Sequence, residues 1–109
     1  MGIIKIAKDQ LSRILLGKNA VPRGLVELNR YFRIYGPIHF KQHKEDGTVV
    51  AVSTNFQYGS IITHGRDSKE LDSNIKDAIL TSFEIPSSYA KEAGIRRADE
   101  DSEFAYALA

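Results

Sequence analysis

No cysteine occurs among the 109 residues, which excludes a disulfide framework and any thiolate metal site. Long apolar runs are missing as well, and none approaches the ~20 residues that a membrane-spanning helix needs. The start, Met1-Gly2-Ile3-Ile4-Lys5, lacks the extended apolar core and small-residue cleavage site of a secretory leader. A cytoplasmic protein with no membrane contact is therefore expected. There is no glycine-rich phosphate loop, no serine in a nucleophile-elbow setting and no carboxylate-rich two-metal motif. The expectation is a protein without catalysis, cofactor or bound metal. No internal repeat is visible, and the length suits one small domain with an appended arm.

Charge is present, and its placement is uneven. Residues 1–44 hold nine lysines or arginines against Asp9 and Glu27, whereas residues 45–109 hold six against twelve acids. The net charge of +1 thus divides into +7 and −6. A basic arm can attract nucleic acid or an acidic partner over a distance. It can equally serve solubility, or pair with the acidic half of its own or a neighbouring subunit. Without a dense basic cluster or interleaved aromatics, the second reading carries more weight. Arg13, Lys18 and Arg23 are the candidate nucleic-acid contacts.

Residues 38–83 are the most legible stretch. A first strand pattern runs to Lys44, and Glu45-Asp46-Gly47 then signals a hairpin, since Asp-Gly tolerates positive φ. Thr48-Val49-Val50-Ala51-Val52-Ser53-Thr54 is rich in β-branched residues and reads as the second strand. After a loop over residues 55–59 comes Ser60-Ile61-Ile62-Thr63-His64, ended by Gly65. Asp67, with Glu70 three positions on, predicts a capping box and a helix over residues 67–83. Its apolar stripe is Leu71, Ile75, Ala78, Ile79 and Ser82, with Lys69, Asp72, Lys76 and Asp77 toward water.

The flanks are less regular. Ile4 and Ile6 alternate briefly, and Leu11, Ile14 and Leu15 share a helical face that Gly17 would end. Residues 25–34 fit two patterns: Leu25, Leu28 and Phe32 suit a helix, while Tyr31-Phe32-Arg33-Ile34-Tyr35 suits a strand. Gly36-Pro37 breaks either one. Beyond Pro86, Ser87-Ser88-Tyr89-Ala90-Lys91-Glu92-Ala93 predicts two helical turns with Gly94 as the cap. The acidic run at residues 99–103 reads as solvated. Phe104-Ala105-Tyr106-Ala107-Leu108-Ala109 is apolar, and should dock on its own sheet or on another subunit.

The fold class expected is α+β: an antiparallel three-stranded sheet followed by a helix packed on one face. A helical or strand extension over residues 1–37 precedes this 38–86 domain, and a short helix and tail over residues 87–109 follow it. His39 and His43 fall on the same side of the first strand, near Glu45 and Asp46. A metal site is conceivable there, but two histidines beside a polar turn is the plainer reading. Tyr31, Phe32, Tyr35, Phe40, Phe56 and Tyr58 could stack single-stranded RNA bases. Core and interface roles fit them better, because the sheet needs apolar cover and aromatics are enriched at interfaces. Phe56 and Tyr58, on a predicted loop, are candidate partner or dimer contacts.

Taken together, several pieces resemble the HicB-like antitoxin domain of bacteria and archaea. They are Glu45-Asp46-Gly47 at the turn, Val50-Ala51 on the second strand, Gly59, and the Ile62-Thr63-His64-Gly65 step. Ser68-Lys69-Glu70-Leu71 at the helix start and Asn74-Ile75-Lys76-Asp77-Ala78-Ile79 within it complete the match. Family members usually carry a proline before the second glycine, where this chain has Ser53-Thr54-Asn55-Phe56-Gln57-Tyr58. Many also carry a C-terminal DNA-binding module, for which the stretch after the helix is too short. Residues 1–35 only loosely echo a ribbon-helix-helix order, and operator binding by them is given little weight.

The resemblance implies an inhibitor without catalysis of its own, which covers a small RNA-cleaving HicA-like toxin. An acidic inhibitor surface suits such a basic partner. Asp67, Glu70, Asp72, Asp77 and residues 99–103 are the acidic candidates, Asp72 and Asp77 above all, since Asp67 and Glu70 are explained by capping. A homodimer or higher homo-oligomer is expected. The alternatives are a stand-alone oligomeric HicB-like protein with another partner, or a nucleic-acid-binding protein using the basic half.

Overall fold

The computed structural model describes residues 23–99 and 104–108. The expected elements over residues 3–18, and residues 100–103 of the acidic run, lie outside them. The first described element is a helix, α1 (Arg23–Tyr35), which resolves the ambiguous stretch. Leu25, Leu28, Tyr31 and Phe32 are its buried residues, a spacing that fits one helical face. Gly36, at φ 78°, and Pro37 end it, with the Gly36 N–H donating to the Phe32 carbonyl at 2.9 Å.

Three strands follow: β1 (Ile38–Glu45), β2 (Thr48–Ser53) and β3 (Ile62–Gly65). Asp46 and Gly47 form the first turn with φ of 48° and 79°, the positive pair that a tight primed hairpin demands. Both pairings are antiparallel, with Gln42 opposite Ala51 and Ala51 opposite Thr63.

The helix α2 (Ser68–Ser82) begins as its capping signal predicts. The Asp67 carboxylate accepts the Glu70 N–H at 2.9 Å. The return arm lands one residue early: Glu70 accepts the N–H of Arg66 at 2.7 Å, and its side chain as well. Leu71, Ile75 and Ile79 are buried as the stripe predicts, each contributing about 1.5–3 kcal/mol of apolar burial. One assignment is corrected, and one buried residue lies off the expected stripe. Ser82 is exposed, with its hydroxyl donating to the Ala78 carbonyl, whereas Leu80 is buried. The reason is the way α2 ends. The Glu84 N–H donates to the Thr81 carbonyl and the Ile85 N–H to the Leu80 carbonyl, both at 2.9 Å, the paired bonds of a Schellman ending. That turn folds buried Ile85 back toward Leu80. It also puts Glu84 at φ 57°, a left-handed position more often taken by glycine.

A 3-10 turn (Ser87–Tyr89) and the short helix α3 (Ala90–Ala93) follow, closed by Gly94 at φ 66° as expected. Two further strands, β4 (Ile95–Arg97) and β5 (Phe104–Leu108), complete a five-stranded antiparallel sheet in the order β3-β2-β1-β5-β4. The α+β class and the β-β-β-α order hold, but a three-stranded sheet is too small. The apolar tail docks on its own sheet, pairing Ile38 with Tyr106 and Phe40 with Phe104. Otherwise the fully buried start of β1 would be an unpaired edge.

Strand register separates two faces. Ile38, Phe40, Ala51, Ile95 and Tyr106 point to one side, where they share a single core with Leu25, Leu28, Leu71, Ile75 and Ile79. Thus α1 and α2 both cover the same face, and the described part of the N-terminal extension belongs to the main core. The other face carries His39, Lys41 and His43 on β1, Val50 and Val52 on β2, and Ile62 and His64 on β3. All three histidines of the chain share that side, two of them on the strand side that the sequence assigns. Among the described residues, no helix is long and apolar enough to cross a membrane.

Candidate functional site

The side chains singled out by sequence fall into an aromatic group and an acidic group. The first is built around Tyr31, whose buried ring meets Tyr35, Phe56, Tyr58 and Phe83 at centroid distances of 4.8, 5.2, 5.2 and 5.6 Å. Its hydroxyl oxygen accepts the Gln57 N–H at 2.9 Å. Burial raises this hydroxyl above the ordinary tyrosine value, against the Gln57 bond, and the neighbouring Tyr58 and Tyr35 add to the rise. It stays neutral.

The 54–60 loop reaches this position without a proline because side chains clamp it. Asn55 accepts the His39 N–H at 2.7 Å and donates to the Pro37 carbonyl at 3.1 Å. Ser53 Oγ accepts the Ile61 N–H at 2.9 Å, closing the far end. Local polar bonds of this kind replace backbone rigidity with side-chain rigidity. The clamp separates the two loop aromatics: Phe56 packs against the core, while Tyr58 is 63% exposed beside Tyr35.

Next to this corner lies the outer side of α1, with Arg23, Val26, Arg30, Arg33 and Ile34 all exposed. Among the described residues, four of the five exposed large apolar or aromatic side chains, Val26, Ile34, Tyr35 and Tyr58, lie on α1 or against it. Of the three nucleic-acid candidates, Arg23 opens α1; Arg13 and Lys18 lie outside the described residues. Sequence reading left out Arg30 and Arg33, since a stripe on one helix face is visible only once the segment is known to be helical.

The second group is the acidic candidates, most of which are already engaged. Asp67 caps α2, and Glu70 pairs with Arg66 at 3.2 Å. Asp72 accepts the Tyr106 hydroxyl at 2.7 Å and meets Lys76 at 3.1 Å. Asp99 holds Arg97 at 2.8 Å, with the Arg97 guanidinium 3.9 Å over the Phe104 ring. Burial works against the Asp72 charge, but the bonds from Tyr106 and Lys76 outweigh it and hold the carboxyl below its usual value. Burial, with the Asp72 bond, pushes the Tyr106 hydroxyl far above the tyrosine range. Asp72 therefore ties the last strand to α2, a role that its place on the polar side of the helix did not reveal.

Asp77, Glu84 and Glu92 are different: each is exposed, and none has an ion pair or side-chain hydrogen bond among the described residues. They sit on α2, on the turn that ends it, and on α3, which packs against α2. Sequence reading named Asp77 but neither glutamate.

On the sheet face opposite α1 and α2, His43 Nε2 lies 3.4 Å from Glu45 Oε2. Among the described residues, no group of three or more His, Asp or Glu side chains converges to hold a metal ion. No family model matches the chain, and no curated protein or solved structure matches it.

Proposed function

We propose that the chain is a HicB-like inhibitor, without catalysis of its own, that binds and occludes a small basic RNA-cleaving protein of the HicA type. What supports the family reading is the physical role of the resembling residues. Asp46-Gly47 makes the turn, Asp67 and Glu70 start α2, and Ile75 and Ile79 bury its stripe. Gly65 lies so close to α2 that a Cβ there would sit 2.5 Å from the Leu71 nitrogen.

The observation that carries the inhibitory reading is the free acidic set Asp77, Glu84 and Glu92. Glu84 stands at φ 57°, where a side chain costs roughly 1 kcal/mol relative to glycine. A carboxylate held in a strained backbone position is better suited to recognition than to stability. Complementary charge then speeds the encounter with a basic nuclease and disfavours neutral partners.

Co-expression tests this reading. The proposal predicts a neighbouring gene for a small basic protein, which, produced alone, should arrest growth and degrade messenger RNA. The chain should restore growth, and its Asp77→Lys/Glu92→Lys variant should not. Rescue by neither, with no complex on co-purification, would remove the proposal.

A further inference from the structure

We propose that the β3 edge of the sheet, with Ile62 on a two-fold axis, pairs antiparallel with the β3 edge of a second copy of this chain. The contact uses none of Asp77, Glu84 and Glu92, and stands whether or not they bind a toxin.

The two edges of the sheet are built differently. β4 is Ile95-Arg96-Arg97, with both arginines exposed and Arg97 paired with Asp99. Charged side chains on an edge oppose the approach of another strand. β3 is Ile62-Thr63-His64-Gly65, without lysine, arginine, acid or proline. The next residue, Arg66, is held by its own Glu70 at 3.2 Å. Ile62 is 65% exposed, more than any other large apolar or aromatic side chain among the described residues.

Register shows which backbone groups this edge turns outward. The Ser53 N–H donates to the Ile61 carbonyl at 2.9 Å, and bonding residues alternate along an antiparallel pair. Thr63 therefore bonds toward β2, opposite Ala51, while the N–H and C=O of Ile62 and His64 point away from it. One outward group is already taken, since the His64 carbonyl accepts the Asn74 side-chain amide at 2.7 Å. Both backbone groups of Ile62 and the His64 N–H have no partner among the described residues.

A like strand fits these groups. With the axis at Ile62, each Ile62 N–H donates to the Ile62 carbonyl of the second copy. Each His64 N–H then meets the Ser60 carbonyl of the second copy, and the occupied His64 carbonyl is not needed. An axis at Thr63 would require it. On the face away from α1 and α2, the two Ile62 side chains meet, each beside its own Val52. An apolar row thus crosses the axis, and no charged side chain of one β3 faces a like charge on the other. A strand of four residues gives an interface below the ~1,200 Å² that marks weak association. The dimer is therefore reversible and depends on concentration.

Sedimentation velocity of the full chain over a concentration series tests the pairing. The mass should pass from monomer to dimer as concentration rises, and no further, because each copy has one such edge. Ile62→Lys puts two like charges on the axis and should raise the dissociation constant about tenfold or more. Ile62 is exposed, so thermal unfolding of the dilute variant should be unchanged. Cross-linking reads the register, since the chain has no cysteine of its own. Ile62→Cys should form an intermolecular disulfide on mild oxidation, because the Cα atoms of such a pair lie about 5.5 Å apart. His64→Cys, displaced from the axis, should not. A monomer at every concentration, a dimer indifferent to Ile62→Lys, or equal cross-linking at His64→Cys would each overturn the assignment. So would loss of a basic partner by Ile62→Lys at unchanged mass, which would give the edge to that partner.

Discussion

The Tyr106 hydroxyl donates to Asp72 Oδ1 at 2.7 Å, linking the last strand to a helix 34 positions earlier in the chain. Tyr106 is fully buried and Asp72 half-buried, so the bond is shielded from competing water. Tyr106→Phe keeps the ring and removes the donor. It should destabilise the fold by about 1.5–3 kcal/mol, the range for a hydrogen bond to a charged group. Lys76→Ala, removing a half-exposed partner of the same carboxylate, should cost at most about 0.5 kcal/mol. Urea unfolding of both variants checks the order; a larger loss for Lys76→Ala would contradict it.

Acid should weaken the protein for the same reason. Asp72, Glu70 and Asp99 are all held below their ordinary values, Glu70 by Arg66 and Asp99 by Arg97. The native chain then binds fewer protons than the unfolded chain around ~pH 4, where free carboxyls titrate. Their contribution is complete above that range and is lost as pH falls through the depressed native values. Urea midpoints should be flat from neutrality to about pH 5, then decline, and Tyr106→Phe should make the decline shallower. A midpoint that rises on acidification would contradict this.

Glu84 offers a test with two opposed readouts. Glu84→Gly relieves the left-handed position at φ 57° and should stabilise the fold by roughly 1 kcal/mol. It also removes a free carboxylate from the acidic surface, and should weaken capture of a basic partner. Gain of stability without loss of binding would take Glu84 out of the recognition surface.

Gly65 should resist change. A Cβ there would lie 2.5 Å from the Leu71 nitrogen and 2.7 Å from its Cα, both backbone atoms that cannot step aside cheaply. Gly65→Ala should therefore push α2 off the sheet and cost about 1–3 kcal/mol, read from chemical unfolding. An unchanged midpoint would mean that the helix can shift freely.

The Tyr31–Gln57 bond should set local rather than global stability. Tyr31→Phe leaves the packed ring but takes away the acceptor for the Gln57 N–H, at a cost of about 0.5–1.5 kcal/mol. Amide hydrogen exchange should quicken at Gln57 while the α2 core amides respond only to the global change.

What was legible in the sequence was local. Asp46-Gly47 declares its turn within two residues, and Asp67 with Glu70 declares a helix start within four, since these signals act between near neighbours. The pairing of β5 with β1 and the Tyr106–Asp72 bond join distant residues, and no short pattern announces them. The α1 segment was ambiguous because Tyr31, Phe32 and Tyr35 suit strand or helix; packing decides between them. Leu80 lies off the main stripe and is buried where the Schellman turn brings Ile85 back. Glu84 gave no signal at all, since helices more often end there on glycine. The acidic candidates divided in the same way: capping explains Asp67 and Glu70 locally, whereas the engagement of Asp72 required the fold.

The most direct measurement of the proposed inhibition is an RNA-cleavage assay of the small basic protein that this account predicts beside the chain's gene, titrated with the purified chain. Cleavage should stop at a stoichiometric ratio, and Asp77→Lys/Glu92→Lys should shift the inhibition curve at least tenfold to higher concentration, about 1.4 kcal/mol of binding. Undiminished cleavage at a large excess of the chain, or inhibition that ignores both charge reversals, would contradict it.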